Sequence, residues 1–340
     1  MINVGIVGLG FMAATHIKAY RQLADARVAA ICNPSGRHLD GDFSGVAGNV
    51  GDNAPVKLDM SQIKAFRNYD AMLADPAIQL IDICAPTLAH AELAIAALKA
   101  GKHVLCEKPL ARSSAVARQI CEAVANSKGF FMPAMCMRFW PEWAWVKQTM
   151  VENRYGKVLA ARFRRVAEPP GWGHSHFLSG EKSGGALLDL HVHDVDFVQF
   201  CFGRPQAVYA AGYSKFSGAI DHVVAQYQVA SGAIVHAEGA WAMTPGFGFS
   251  MSYTVNFEDA TADFDIARGA DALKLFEKGK EPRTIQCEGG DGYVGELKHL
   301  LESIQTARPP TIVTAQDGQT AVEICEAEER SIQTGQIIPL

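Results

Sequence analysis

The chain opens with MINVGIVGLGFMAATHIKAY, and no other stretch limits its fold as much. Ile2, Val4, Ile6 and Val7 make a short apolar run that ends at Gly8-Leu9-Gly10-Phe11-Met12-Ala13, and Ala13 to Leu23 reads as a helix. Strand, glycine turn and helix in that order begin a βαβ unit, the context that gives G-x-G-x-x-A its meaning. Gly8 permits the tight turn, Gly10 lets backbone approach a pyrophosphate, and Ala13 allows the helix to pack closely on the strand. Phe11 and Met12 complete the turn at a helix N-terminus, whose free N–H groups and positive dipole end suit phosphate. The expected fold class is therefore α/β, with an N-terminal Rossmann dinucleotide-binding domain.

Later strand ends extend this reading. The second strand, Val28 to Cys32, ends at Asn33-Pro34-Ser35-Gly36-Arg37-His38. A carboxylate here would bind the ribose hydroxyls of NAD and repel a 2′-phosphate. Asn33, Ser35 and Arg37 instead favour NADP over NAD, because they can hydrogen-bond and neutralise that phosphate; Asn33 can also serve ribose hydroxyls. Residues 39–55 are glycine-rich and aperiodic, the text of a surface excursion. Leu80 to Cys84 suits a central strand buried on both faces and leaves as Ala85-Pro86-Thr87. His90 opens an alanine-rich helix that stops at Gly101. His103 to Cys106 delivers Glu107-Lys108-Pro109. Ligands gather at the carboxyl ends of such strands, so Ala85, Pro86, Thr87, His90, Glu107 and Lys108 are expected at the cofactor. Lys108 is either a loop charge or a cation placed to stabilise an alkoxide.

Composition bounds the partners. With 340 residues, 49% hydrophobic and 20% charged, the chain can build two domains with substantial cores. A net charge of -5 offers no basic surface for nucleic acid, and no apolar run is long enough to cross a membrane. The first residues lack a positive n-region and read as a first strand, not a signal peptide. Eight dispersed cysteines without a C-x-x-C pair imply free thiols in a reducing cytoplasm.

Ser113 to Ser127 reads as a helix and Phe130 to Met135 as the last strand of the first domain, so the domains are expected at 1–130 and 131–340. Arg138 is either a substrate contact or a structural arginine covering an aromatic. Pro141 to Asn153 is helical, with Trp143 and Val146 on its inner face. In EPPGWGHSHFLSGEK, Trp172 and His176 suit a substrate lid, since aromatic faces stack on sugar C–H faces and imidazoles bond hydroxyls; a packed proline-rich loop is the alternative.

The stretch SGGALLDLHVHDVD, Ser183 to Asp196, admits two chemistries. On a strand His191 and His193 would point together, as a metal prefers; on a helix Asp189 and His193 share a face and His191 turns away. Apolar residues at 187, 190, 197, 198, 201 and 202, with a Gly203 stop, select one helix over 187–202, and no metal is expected. Strand-like segments from 206 to 277 imply a mainly antiparallel, open-faced sheet of about half a dozen strands in an α+β domain, closed by helices over 293–305 and 316–334.

GLGFMA, APTLAHAELAIAALKAGKHVLCEKPLA and SGGALLDLHVHDVD, in this order, resemble the Gfo/Idh/MocA family of glucose-fructose oxidoreductase, inositol dehydrogenase and rhizopine-pathway proteins, over nearly the whole chain. The resemblance implies a catalytic or substrate-binding Lys108, a cis bond before Pro109, an R-F/W-x-P element at Arg138, and a family pattern on Gly184, Gly185, Asp189, His193 and Asp196. His191 departs from that pattern. The implied activity is NAD(P)-dependent hydride transfer at a secondary alcohol or ketone of a sugar, cyclitol or related polyol. His193 takes the hydroxyl proton, Lys108 stabilises the alkoxide, Asp189 binds substrate hydroxyls or orients His193, and Asp196 supports. Family members use the open sheet face for homodimer or homotetramer contacts. Three alternatives stand beside this reading: a glycosidase with transient hydride transfer, a nicotinamide-binding regulator without turnover, and a zinc hydrolase using His191 and His193.

Overall fold

The computed structural model describes residues 1–46, 48, 54–171 and 174–340, with backbone only for His174 and Ser175. The chain divides into two compact units, Met1–Cys136 with Asp291–Gln319 and Met137–Gly290 with Thr320–Leu340. The expected boundary at 130 thus moves to 136, and a C-terminal segment assigned to the second domain belongs with the first.

The first unit holds strands β1 (Ile2–Val7), β2 (Ala26–Cys32), β3 (Lys64–Phe66), β4 (Leu80–Ile83), β5 (His103–Cys106) and β6 (Phe131–Pro133). They form one sheet in the order β3-β2-β1-β4-β5-β6, every pair parallel. This is the doubly wound order, in which the strand sequence reverses between β1 and β4 and a ligand crevice opens at the carboxyl ends. Helices α1 (Phe11–Tyr20), α2 (Tyr69–Leu73), α3 (His90–Lys99) and α4 (Ser114–Ala125) connect the strands. Their starts are locally specified: Asn68 Oδ1 accepts from the Ala71 amide at 3.0 Å, and Ser113 Oγ from the Val116 amide at 3.4 Å. Helix α1 starts at Gly10 with no side-chain cap. All four residues of β4 are buried, as the apolar run predicts, although one of them is Asp82.

The second unit is built on a nine-stranded sheet. Its strands are β7 (Val158–Ala167), β8 (Ala207–Tyr213), β9 (His222–Gln228), β10 (Ile234–Ala240), β11 (Phe249–Phe257), β12 (Ala260–Asp265), β13 (Leu273–Glu277), β14 (Arg283–Thr284) and β15 (Ile338–Pro339). The order is β14-β13-β12-β11-β7-β10-β9-β8-β15, antiparallel except between β10 and β7. Two of these strands have only two residues, too few to show alternation in the sequence. One face packs on helices α5 (Pro141–Val151), α8 (Gly185–Asp189) and α9 (Val192–Phe202), and short helices α6 (His174–Phe177) and α7 (Gly180–Ser183) precede α8. The core centres on Trp143 of α5, whose ring lies 4.7 Å from Phe197, 5.2 Å from Tyr253 and 5.8 Å from Phe163 between centroids. Trp143 and Val146 are both fully buried, as the helix reading requires. Two terminal helices follow: α10 (Gly292–Thr306), which packs on α1 within the first unit, and α11 (Ala315–Thr334).

Candidate active site

The first turn has the geometry that a dinucleotide requires. Gly8 has φ +85°, and a Cβ there would stand 2.5 Å from the Ala85 backbone, so only glycine lets β1 and β4 deliver their turns side by side. Among the described residues, a Cβ on Gly10 would meet nothing within 4 Å beside the N-terminus of α1. Phe11 and Met12 are partly exposed there and Ala13 is fully buried against the sheet. Open backbone at Gly10, a helix N-terminus and a close-packed third position fit a pyrophosphate.

At the end of β2, Asn33 organises the loop. Its Oδ1 accepts from the Ser35 amide at 3.2 Å and the Ser35 hydroxyl at 2.9 Å, and its Nδ2 donates to the Arg37 carbonyl at 2.9 Å. The Ser35 and Arg37 side chains stay exposed. Sequence reasoning missed Arg67, whose guanidinium lies against the same loop: a Cβ on Gly36 would be 2.4 Å from its Nη2. The cause is register, because Cys32 pairs with Phe66 and the Asn33 amide donates to the Phe66 carbonyl at 3.1 Å. A residue following β3 therefore flanks the loop following β2.

The strand-end turns of β4 and β5 sort the remaining residues. Pro86 is exposed and Ala85 partly so, while Thr87 is buried. His90, expected at the cofactor, is 1% exposed and instead ties two turns together, with Nδ1 2.9 Å from the Pro109 carbonyl and Nε2 2.8 Å from that of Ala85. Burial lowers its pKa against the pull of those carbonyls, and neutral imidazole donates to only one of them. Glu107, also expected at the cofactor, is buried too, and its Oε2 accepts the Lys108 amide at 3.0 Å. Lys108 is the residue of this turn that remains partly exposed, and its bond to Pro109 is cis.

In the second unit the expected single helix over 187–202 is two. The amides of Leu190 and His191 both donate to the Ala186 carbonyl, at 3.0 and 2.8 Å, and this widened turn ends α8 before α9 begins. Between Ser183 and Gln199 only Asp189, Leu190 and His193 reach solvent. The two polar groups singled out for chemistry are therefore the accessible polar groups of the stretch. The others are spent inside: Arg165 Nε lies 3.0 Å from Asp194, and Arg138 holds Asp196 in a two-point pair at 2.8 and 2.7 Å. Arg138 is 5% exposed with its guanidinium 4.6 Å from the Phe200 ring centre, so the covering role prevails over the expected substrate contact. His191 is fully buried, with Nε2 3.3 Å from Glu328 and 3.3 Å from the Tyr227 hydroxyl. It also lies against Gly239, where a Cβ would be 2.5 Å from its own. The imidazole packs the interior, whereas His193 is partly exposed.

Of the expected lid, Trp172 lies outside the described residues. His176 is partly exposed, and the neighbouring Phe177 meets the Trp241 ring edge-on at 6.0 Å. Trp241 Nε1 donates to Asp221 at 2.6 Å. That carboxylate also collects the amides of Lys215, Phe216 and Ser217 at 2.6–3.0 Å and the Ser217 hydroxyl at 2.6 Å.

A doubly wound sheet with a glycine turn at its switch point, joined to an open-faced sheet domain that carries accessible Asp and His, defines a dinucleotide-dependent oxidoreductase. Residues 2–135 match the family model for the oxidoreductase family with NAD-binding Rossmann fold, and 143–263 match the GFO/IDH/MocA C-terminal domain. The chain belongs to the Gfo/Idh/MocA family. It is 24% identical to myo-inositol 2-dehydrogenase of Thermotoga maritima over all of this chain and 98% of that one. It is 30% identical to trans-1,2-dihydrobenzene-1,2-diol dehydrogenase of Bos taurus over 79% of this chain and 82% of that one. Levoglucosan dehydrogenase in complex with NADH and levoglucosan shares the fold, with TM-score 0.85 and 22% identity across 99% of each chain. No helix among the described residues is long and apolar enough to cross a membrane.

Proposed function

We propose that this chain is an NAD(P)-dependent dehydrogenase that oxidises a secondary alcohol of a sugar, cyclitol or related polyol, or reduces the matching ketone. The observation that carries the reading is the exposure pattern: Lys108 alone reaches solvent from its buried turn, and Asp189 and His193 are the polar groups that do so from theirs. When bound, the nicotinamide supplies the hydride acceptor. His193 takes the hydroxyl proton as the carbon gives up its hydride, and Lys108 stabilises the negative charge on the substrate oxygen. Asp189 binds a neighbouring hydroxyl or orients His193. The names of the relatives, inositol 2-dehydrogenase and levoglucosan dehydrogenase, support a polyhydroxylated ring as substrate.

NADP is the preferred cofactor in this reading, because residues 33–38 after β2 have no carboxylate and Arg37 and Arg67 stand beside them. The chain works as a homodimer or homotetramer through the outer sheet face, where Tyr209, Val224, Ile234 and Phe276 are exposed. Its eight free cysteines suit a reducing cytoplasm. A panel of sugars and polyols with each cofactor, followed by nicotinamide absorbance, tests the activity. Absorbance change with no member of the panel would contradict it, and release of an aglycone without net cofactor change would favour the glycosidase alternative.

A further inference from the structure

The turn that carries Lys108 is backed by a cluster of buried charge that the proposed reaction does not use. His16 of α1 is fully buried, with Nδ1 2.9 Å from Oδ2 of Asp82 in the middle of β4. Its Nε2 lies 3.2 Å from Oε1 of Glu107 and 3.7 Å from Oε1 of Glu296, which α10 delivers. Cys84 completes the group, its Sγ 3.4 Å from Oδ1 of Asp82 and 3.6 Å from Nδ1 of His16. Three carboxyl groups and an imidazole withdrawn from water are costly wherever a charge is left unpaired, so the arrangement needs a compensating role or partner.

A metal ion is one candidate partner, since ligand atoms of His16, Asp82 and Cys84 converge. The spacing argues against it. Two ligands on a tetrahedral ion at its usual bond lengths stand about 3.3 Å apart, whereas the 2.9 Å between Nδ1 and Asp82 is a hydrogen bond with the proton between them. The cluster is held by protons. Burial by itself disfavours the charged imidazole, but the Asp82 carboxylate and its hydrogen bond outweigh this and raise the His16 pKa well above its ordinary value. Burial likewise raises the Glu296 pKa well above its ordinary value, with Glu107 and Asp82 adding to it against the opposing charge of His16. Asp82 thus stands against one ring nitrogen of His16 and Glu107 against the other.

We propose that His16 and Glu107 are positioning residues for Lys108. His16, hydrogen-bonded through Nδ1 to Asp82, stands with Nε2 3.2 Å from one oxygen of Glu107, a charge contact outside hydrogen-bond geometry, and the other oxygen accepts the backbone N–H of Lys108 itself. The far side of the same turn is fixed through the contact between His90 and the Pro109 carbonyl. The lysine side chain thus leaves a backbone held on both sides. The inference rests on Lys108 being the group that meets the substrate oxygen.

The test uses full-length enzyme with its cofactor. Glu107→Gln keeps the size of the side chain but removes the charge that faces His16 and leaves one acceptor oxygen where the carboxylate had two. It should lower kcat about ten- to a hundredfold, the usual effect of displacing a reactive group by a fraction of an ångström to an ångström. KM and cofactor Kd should stay within about threefold. In a Lys108→Met background Glu107→Gln should cause no further loss, because the two act as one unit. A folded Glu107→Gln enzyme with kcat near wild type overturns the proposal. If that variant does not fold, His16→Asn takes its place with the same expected fall in kcat, and failure of both to fold assigns the cluster to folding and also overturns it. Turnover retained by Lys108→Met alone would instead refute the reading of Lys108.

Discussion

At the residue scale the site separates groups by whether their polar atoms are already engaged in the interior. Asp194 and Asp196 look like Asp189 in the sequence, but buried arginines hold both. Breaking such a pair leaves an uncompensated buried charge, so these aspartates matter for folding before chemistry. His191 was unreadable for the same reason, since its partner Glu328 is 137 residues away and on α11. Lys108, Asp189 and His193 could be singled out because turn position and spacing mark them locally. Arg67 could not, because it approaches Asn33 only through the pairing of β2 with β3. Cofactor choice is the prediction that belongs here. Arg37→Asp should raise KM for NADP about tenfold or more, the worth of one charge-assisted hydrogen bond, with little change for NAD, and Arg67→Ala should act in the same direction. Steady-state kinetics with both cofactors checks this, and an unaltered preference in both variants would show that the loop does not read the 2′-phosphate.

At the element scale, most of the longer strands and helices lie within a few residues of where periodicity and caps place them, as for β5 and for α5 with its first-turn Pro141, whereas the short strands β3, β14 and β15 have no counterpart in the sequence reading. The break between α8 and α9 was invisible because apolar spacing is the same on both sides of it and no proline or glycine marks it. The connection from β8 to β9 carries a second element that sequence could not show, the nest of donors around Asp221. Burial alone would raise that carboxyl, but the amides of Phe216, Ser217 and Lys215 and the Ser217 hydroxyl outweigh it, and its pKa lies below the ordinary 3.8. A depressed native pKa stabilises the fold above the unfolded value and loses that contribution as pH falls through the native one. Asp221→Asn should therefore cost about 1.5–3 kcal/mol at pH 7, the range for hydrogen bonds to a charged group. Denaturant unfolding at pH 7 and through the acid range should show the gap between wild type and variant narrowing below pH 3.8. A constant gap would mean that charge on Asp221 is not what the donors stabilise.

At the scale of the whole molecule, the chain builds its first unit twice over, once from residues 1–136 and again by returning 291–319. No local signal in the sequence announces that return, because α10 reads as an ordinary capped amphipathic helix whichever unit it joins. The outer sheet face sets the other prediction at this scale. Val224 and Ile234 stand exposed on neighbouring antiparallel strands, β9 and β10. Light scattering coupled to size exclusion should show a dimer or tetramer for wild type and a monomer for Val224→Glu combined with Ile234→Glu; a monomeric wild type would contradict the assembly. The most direct test of the proposed reaction is turnover of Lys108→Met on the best polyol or sugar from the panel, with cofactor affinity measured alongside by nicotinamide fluorescence. The account predicts a fall in kcat of about a hundredfold or more, the scale of one lost charge-stabilising group, with cofactor Kd nearly unchanged. Turnover within a few-fold of wild type would contradict it.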